Sequence, residues 1–215
     1  MSYDYLLFDL DGTLTDPGEG ITNSVAYALK KWDITVDDRK ELYCFIGPPL
    51  SESFSKFYGF STIDSIKCVE YYREYYRDKG IYENMLYDGI PELLATLKAR
   101  GKKIILATSK PELFAKQILD HFKLTEYFDH ICGASMDESR NKKAAVIEYA
   151  LETAQIEDRS RTVMIGDREH DINGARLNGL DSIGVLFGYG DRPELEAAGA
   201  TYIAEGVEDI KKFKI

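Results

Sequence analysis

The sequence predicts an α/β protein whose parallel, helix-covered sheet is interrupted near its start by an all-helical insertion. Three observations carry that expectation. Short apolar runs recur with continuous rather than alternating hydrophobicity, as strands covered on both faces require. After residue 100 such runs alternate with stretches of helical periodicity, the order that builds parallel sheets. Between about Asp16 and Tyr87 strand signals vanish and helical stretches replace them.

Tyr5-Leu6-Leu7-Phe8 forms the first strand and ends at Asp9. The insertion follows, with helices expected over Ile21 to Trp32, Asp37 to Phe45, Leu50 to Tyr58 and Ile63 to Lys79, broken once at Gly47-Pro48-Pro49. Tyr87-Asp88-Gly89-Ile90-Pro91 marks the return, since Asp-Gly favours a turn and Pro suits the first helical position. Helices over Glu92 to Arg100, Glu112 to Phe122 and Lys143 to Thr153 then alternate with strands over Lys103 to Thr108, Thr162 to Gly166 and Ser182 to Leu186. The expected division is 1–16 with 87–215 for the α/β core and 17–86 for the helical unit. No internal repeat is found.

Composition narrows the function classes. With 215 residues, 44% hydrophobic and 30% charged, the chain is long enough to bury a core, and disordered or collagenous readings lose their weight. Against 37 acidic residues stand 27 basic ones, a formal charge of −10, which disfavours a nucleic acid polymer as partner. Cys44, Cys68 and Cys132 are odd in number and widely spaced, so reduced, mostly buried thiols are expected rather than a disulfide framework or zinc cluster. The opening MSYDYLLFDLDG has no basic leader, and no apolar run approaches the roughly 18 residues of a membrane span. A cytoplasmic chain with no membrane partner is expected.

Four places carry chemistry. Asp9-Leu10-Asp11-Gly12-Thr13 stands at the carboxyl end of the first strand, where parallel-sheet proteins place ligands. Side chains two apart on an extended chain point the same way, so Asp9 and Asp11 are expected to converge, and two adjacent carboxylates call for a cation or a proton between them. Gly12 permits the tight turn that follows. Thr108-Ser109-Lys110-Pro111 again joins a strand to a helix; Ser109 reads as an N-cap and equally as a holder of a phosphate oxygen at the positive helix terminus, with Pro111 at N1. Lys142 and Lys143 open a helix against its dipole, an arrangement that either a solvated face with Glu138 and Glu148 or a nearby anion would relieve. Gly166-Asp167-Arg168-Glu169-His170-Asp171 ends an apolar strand, and a helix starting near Arg168 puts Asp167 and Asp171 one turn apart. Oxygen ligands without histidine or thiolate favour magnesium. His170 reads as a surface or supporting residue.

Taken in order, DxDGT after the first strand, a serine at a later strand end, a lysine opening a helix and GD with an Asp four further on resemble the haloacid dehalogenase superfamily of phosphotransferases. The likeness spans Asp9 to Asp171. LLFDLDGTLTDP, the Tyr87-to-Pro91 segment and ATSKPE look nearest to its phosphoglycolate phosphatase-like branch, whose helical insertion is a small cap. The resemblance implies a Rossmann-like, HAD-like core with an all-helical cap domain, and a magnesium-dependent phosphatase of small phosphomonoesters such as phosphoglycolate, nucleoside 5'-monophosphates or sugar phosphates. It makes Asp9 the nucleophile that becomes an aspartyl phosphate and Asp11 the general acid and base. Mg2+ would be held by the Asp9 carboxylate, the Asp11 carbonyl and Asp167, with Asp171 completing or buttressing the shell. Ser109 and Lys143 would neutralise the transferring oxygens, with Lys142 the alternative because two alanines replace the commoner Lys-Pro form. Thr108, Gly12 and Gly47 are candidate substrate contacts, Gly47 through the Gly47-Pro48-Pro49-Leu50 loop of the cap. Two other functions stay open at this stage: a phosphosugar mutase on the same scaffold, and a non-catalytic phosphate-binding protein. Oligomeric state is not legible.

Overall fold

A computed structural model describes residues 2–137 and 139–215. Glu138, one of the expected neighbours of the lysine pair, therefore lies outside the described residues. By internal contacts the chain divides into two compact units, Met1–Thr15 with Leu86–Ile215, and Asp16–Met85.

The larger unit is α/β. Six strands, β1 (Tyr5–Phe8), β4 (Lys103–Pro111), β5 (His130–Ala134), β6 (Thr162–Gly166), β7 (Asp181–Val185) and β8 (Tyr202–Ala204), form one sheet in the order β5-β4-β1-β6-β7-β8. Every neighbouring pair is parallel. The register pairs Phe8 with Leu106 on one side and with Ile165 on the other. Strand β1 is thus central, and the residues just after Phe8, Leu106 and Ile165 emerge side by side at one sheet edge. Continuous hydrophobicity has the expected cause: Leu6, Leu7, Phe8, Ile104, Ile105, Leu106, Val163, Met164 and Ile165 are all fully buried, so both faces are covered. One face carries α6 (Lys143–Thr153) and α7 (Glu169–Leu177), with Val146, Ile147, Ala150 and Ala175 packed on Leu7, Ile105, Ala107 and Met164. Helices α4 (Ile90–Ala99), α5 (Glu112–His121) and α8 (Arg192–Ala198) complete the layers.

Strand β5, His130-Ile131-Cys132-Gly133-Ala134, was not expected; its polar first residue and its glycine dilute the apolar signal. Strand β4 runs on to Pro111, with its register shifting between Thr108 and Pro111. Pro111 consequently takes the N-cap position of α5 rather than N1, and Ser109 does not cap the helix.

The smaller unit is helical. It contains α1 (Gly18–Lys30), α2 (Leu50–Tyr58) and α3 (Thr62–Tyr75). Two expected helices are corrected. The Asp37 to Phe45 stretch is a 3-10 helix over Arg39–Phe45, started by Asp38 accepting from the Lys40 N–H. The Ile63 to Lys79 stretch is α-helical only to Tyr75 and then widens into a π-helical turn over Tyr76–Gly80. The unit's core is aromatic: Phe45 meets Phe54 edge to face at 4.9 Å, and Trp32 meets Phe60 at 5.1 Å. Two-residue strands β2 (Thr15–Asp16) and β3 (Met85–Leu86) pair where the chain passes from one unit to the other and back. Among the described residues no helix is long and apolar enough to cross a membrane.

Candidate active site

The chemistry-bearing residues gather at the carboxyl edge of the parallel sheet. Asp9 follows β1, and its backbone N–H donates to the Ile165 carbonyl, which holds the strand end against β6. Asp167 follows β6, and Asp171 sits one turn into α7, where its Oδ2 accepts from the Arg168 N–H as part of the helix's capping arrangement. One carboxylate oxygen from each of Asp9, Asp167 and Asp171 lies within 4.8 Å of the others, and all three residues are buried.

Lys143 joins this cluster. Its Nζ lies 2.7 Å from Asp9 Oδ1 and 2.8 Å from Asp171 Oδ1, and it donates to the Ala107 carbonyl at 3.1 Å. The lysine that opposes the α6 dipole is thus compensated by two carboxylates. Lys142, the N-cap of α6, is exposed.

Asp11 lies slightly apart. It does not share the three-carboxylate cluster; its Oδ2 is 2.5 Å from Lys110 Nζ, while its Oδ1 is buried with no hydrogen-bond partner among the described residues. The turn after it is tightly wound: the Leu14 and Thr15 N–H groups both donate to the Leu10 carbonyl, and the Gly12 N–H donates to the Thr15 carbonyl. Gly12 adopts φ +81°, and a Cβ there would run into the Asp167 carboxylate, so a glycine is required on both counts.

Asp167 is clamped from a second direction. After β7 the chain turns through Phe187-Gly188-Tyr189-Gly190, and the Tyr189 N–H donates to Asp167 Oδ2 at 2.8 Å. A Cβ at Gly188 would strike both the Gly12 carbonyl and the Asp167 side chain. Thr13 Oγ1 stands 3.5 Å from Asp167 Oδ1. Sequence reasoning missed both this loop and Lys110. A Gly-x-Gly at a strand end was the available signal for the loop; for Lys110 the signal was its place in the quoted ATSK run.

Thr108 is buried and its Oγ1 accepts from the Lys110 N–H at 3.2 Å. Ser109, one residue beyond the last regular pairing of β4 with β5, is half-buried. Gly47 lies in the helical unit, with φ +102°, just before α2. His170 is exposed.

Burial sets the electrostatics. It pushes the Asp167 carboxyl well above the usual carboxylate range, and the neighbouring charges of Asp171 and Asp9 push the same way. Asp171 is also raised by burial, against the pull of Lys143. Asp11 is raised by burial, with Lys110 opposing. Burial works against the charge of Lys143, yet Asp171 and Asp9 outweigh it and hold the ammonium above its ordinary range. One ammonium faces three buried carboxylates, a deficit of positive charge. Hard oxygen donors converging with that deficit fit a divalent cation such as magnesium.

The model of the haloacid dehalogenase-like hydrolase family matches residues 6–185. The chain belongs to that family. Among haloacid dehalogenase-like relatives, a 5'-nucleotidase of Pseudomonas aeruginosa is 45% identical over 99% of this chain and 96% of its own length. The tyrosine-protein kinase PtkA of Mycobacterium tuberculosis is 38% identical over 96% of this chain and 71% of its own. Among solved structures, a predicted phosphatase from Clostridium acetobutylicum superposes with a TM-score of 0.96 at 50% identity, covering 99% of this chain and 98% of that one. The α/β fold and the hydrolase class read from the sequence stand, and the chain is a phosphoric monoester hydrolase of this family.

Proposed function

We propose that the protein is a magnesium-dependent phosphatase that hydrolyses a small phosphomonoester through an aspartyl phosphate on Asp9. The observation that carries this reading is the buried set of Asp9, Asp167 and Asp171, with Lys143 bridging Asp9 and Asp171 and Asp11 beside it. An Asp9 carboxylate oxygen attacks phosphorus as the bond to the leaving oxygen breaks, and Asp11 gives that oxygen its proton. A water then attacks the acyl phosphate while Asp11 takes up the water's proton, which restores Asp9 and releases phosphate. Lys143 orients Asp9 and offsets charge on the transferring oxygens, with Ser109 and Thr108 the candidates for the remaining contacts. Asp9, Asp167, Asp171 and the Asp11 carbonyl would hold the divalent ion, which when bound supplies Lewis-acid screening of the phosphoryl charge. The 17–86 segment is proposed to act as a cap, with Gly47 on its substrate loop.

For the leaving group, the name of the Pseudomonas relative supports a nucleoside 5'-monophosphate first. Phosphoglycolate and sugar phosphates follow. The test is a phosphomonoester panel with magnesium, ranked by kcat/KM. A nucleoside 5'-monophosphate at the top supports the substrate class, and no phosphate release from any member with any divalent ion overturns the whole reading. One observation favours a second reading, transfer to a protein tyrosine: the likeness to the kinase-named mycobacterial protein. Labelled phosphate passing from ATP to a tyrosine peptide, rather than to water, would select it.

A further inference from the structure

Lys110 is the strongest feature that the phosphatase reading leaves unused. Its side chain is only 5% exposed and its Nζ sits 2.5 Å from Asp11 Oδ2, whose own side chain is 13% exposed. Ninety-nine residues separate the two in sequence; Asp11 stands three residues past the end of β1, and Lys110 lies in the irregular last part of the adjacent β4. The chain is shaped to bring them together. The register of β4 shifts after Thr108, and the Thr108 hydroxyl takes the Lys110 N–H, which anchors the lysine backbone at the sheet edge. Across from it, the turn at Leu10 to Thr15 fixes the Asp11 backbone.

Burying an ammonium and a carboxylate is a poor way to gain stability, because the lost hydration of both ions offsets their attraction. Such a pair at a site edge therefore invites a chemical reason. Lys110 secures one Asp11 oxygen and leaves the other, Oδ1, buried and without a partner among the described residues. A carboxylate that must pass a proton to a leaving oxygen needs one oxygen tethered and one available. Lys143 is engaged elsewhere, with Asp9, Asp171 and the Ala107 carbonyl.

We propose that Lys110 is a positioning residue: it tethers Oδ2 of Asp11 and so orients the carboxylate for proton transfer at the leaving-group oxygen. This rests on the reading of Asp11 as the general acid. The role is separable from charge neutralisation on the phosphoryl group, because loss of an aid to proton donation costs more the more basic the leaving group, whereas loss of a charge on the phosphoryl oxygens costs a similar factor on every ester.

The experiment compares kcat/KM of the wild type, Lys110→Met, Lys110→Arg, Asp11→Asn and the Lys110→Met/Asp11→Asn double variant on phosphomonoesters of graded leaving-group basicity, from 2,4-dinitrophenyl phosphate to an alkyl phosphate. With magnesium present, Lys110→Met is expected to lose about 10²-fold on the alkyl ester and less than about tenfold on the dinitrophenyl ester, since a positioned acid contributes about 10²–10⁴-fold only where the leaving oxygen needs a proton. Lys110→Arg should recover part of the alkyl-ester loss. The double variant should be no slower than Asp11→Asn alone. Both esters are measured on one preparation, so any inactive fraction cancels from the ratio.

An equal loss on all esters would overturn the proposal and assign Lys110 to the phosphoryl group. A loss confined to KM for esters with anionic leaving groups would overturn it in favour of substrate binding. If Asp11→Asn itself loses equally on every ester, the general-acid reading fails, and the proposal with it. Failure of the phosphatase reading itself is recognised separately, by a wild type that releases no phosphate from any ester.

Discussion

At the scale of single residues, one lysine decides the balance of a carboxylate-rich site. Lys143 touches Asp9 and Asp171 at hydrogen-bonding distance, whereas its neighbour Lys142 is in solvent. Lys143→Met is expected to lower kcat/KM by at least about 10³-fold and, in metal-free protein, to destabilise by about 3–5 kcal/mol, because it strands buried carboxylates. Lys142→Met should change activity less than twofold and stability by no more than about 0.5 kcal/mol. Steady-state kinetics and urea unfolding of the two variants check this; a larger loss at Lys142 would transfer the role to it. Asp9→Asn should lose at least about 10⁴-fold in kcat while keeping an unfolding midpoint within a few degrees of the wild type. Near-normal turnover in that variant would remove Asp9 as nucleophile.

Element by element, the site depends on how strand ends are held. Asp129, just ahead of β5, accepts from the Ile104 N–H at 3.0 Å and pairs with Lys98 and Lys103, each at 3.0 Å, which ties the start of β4 to its neighbours. Partial burial opposes its charge, but the Ile104 N–H and the two lysines win and hold the carboxyl below the usual range. A depressed folded-state value makes the carboxylate stabilising above its unfolded value of about 3.9, and that contribution disappears as pH falls through the folded value. Asp129→Asn is therefore expected to cost about 1–2 kcal/mol at pH 6 and progressively less below about pH 4. Urea melts at both pH values measure it, and a pH-independent difference would contradict the assignment. The loop after β7 is the other restraint. Gly188→Ala places a methyl against Asp167 and the Gly12 carbonyl, so Mn2+ titrated in as a probe should bind about 10–100-fold more weakly, as for disrupted outer-sphere support. Unchanged affinity would show that the loop does not shape the site.

For the whole molecule, the governing fact is negative charge concentrated where the sheet ends. The chain carries −10 overall, and its metal-binding candidates are buried carboxylates with one compensating ammonium. A divalent ion binding only the folded state stabilises it by about 2.7 kcal/mol at a hundredfold excess over Kd. For a chain of this length that corresponds to a rise in Tm of about 5–10 °C. Scanning calorimetry with magnesium and with EDTA should find it, and the rise should vanish in Asp167→Asn. Identical transitions with and without magnesium, manganese or calcium would refute a cation site among these residues.

The order of strands and helices, and the acidic motifs at strand ends, were legible in the sequence. Apolar runs such as Leu6 to Phe8 and Val163 to Ile165 announce strands buried on both faces, and a motif that follows such a run must stand at the carboxyl end of a parallel sheet. That is why the aspartates at 9, 11, 167 and 171 could be expected at one edge of the sheet. Tertiary structure alone decided what meets what. It chose Lys143 over Lys142, parted the Asp11 carboxylate from the other three, and brought in Lys110 and the Gly188 to Gly190 loop. It also turned the Arg39–Phe45 stretch into a 3-10 helix and added β5. Local periodicity reports which face of an element is apolar, whereas a contact between residues 99 or more apart depends on register and turn geometry that no short window of sequence encodes.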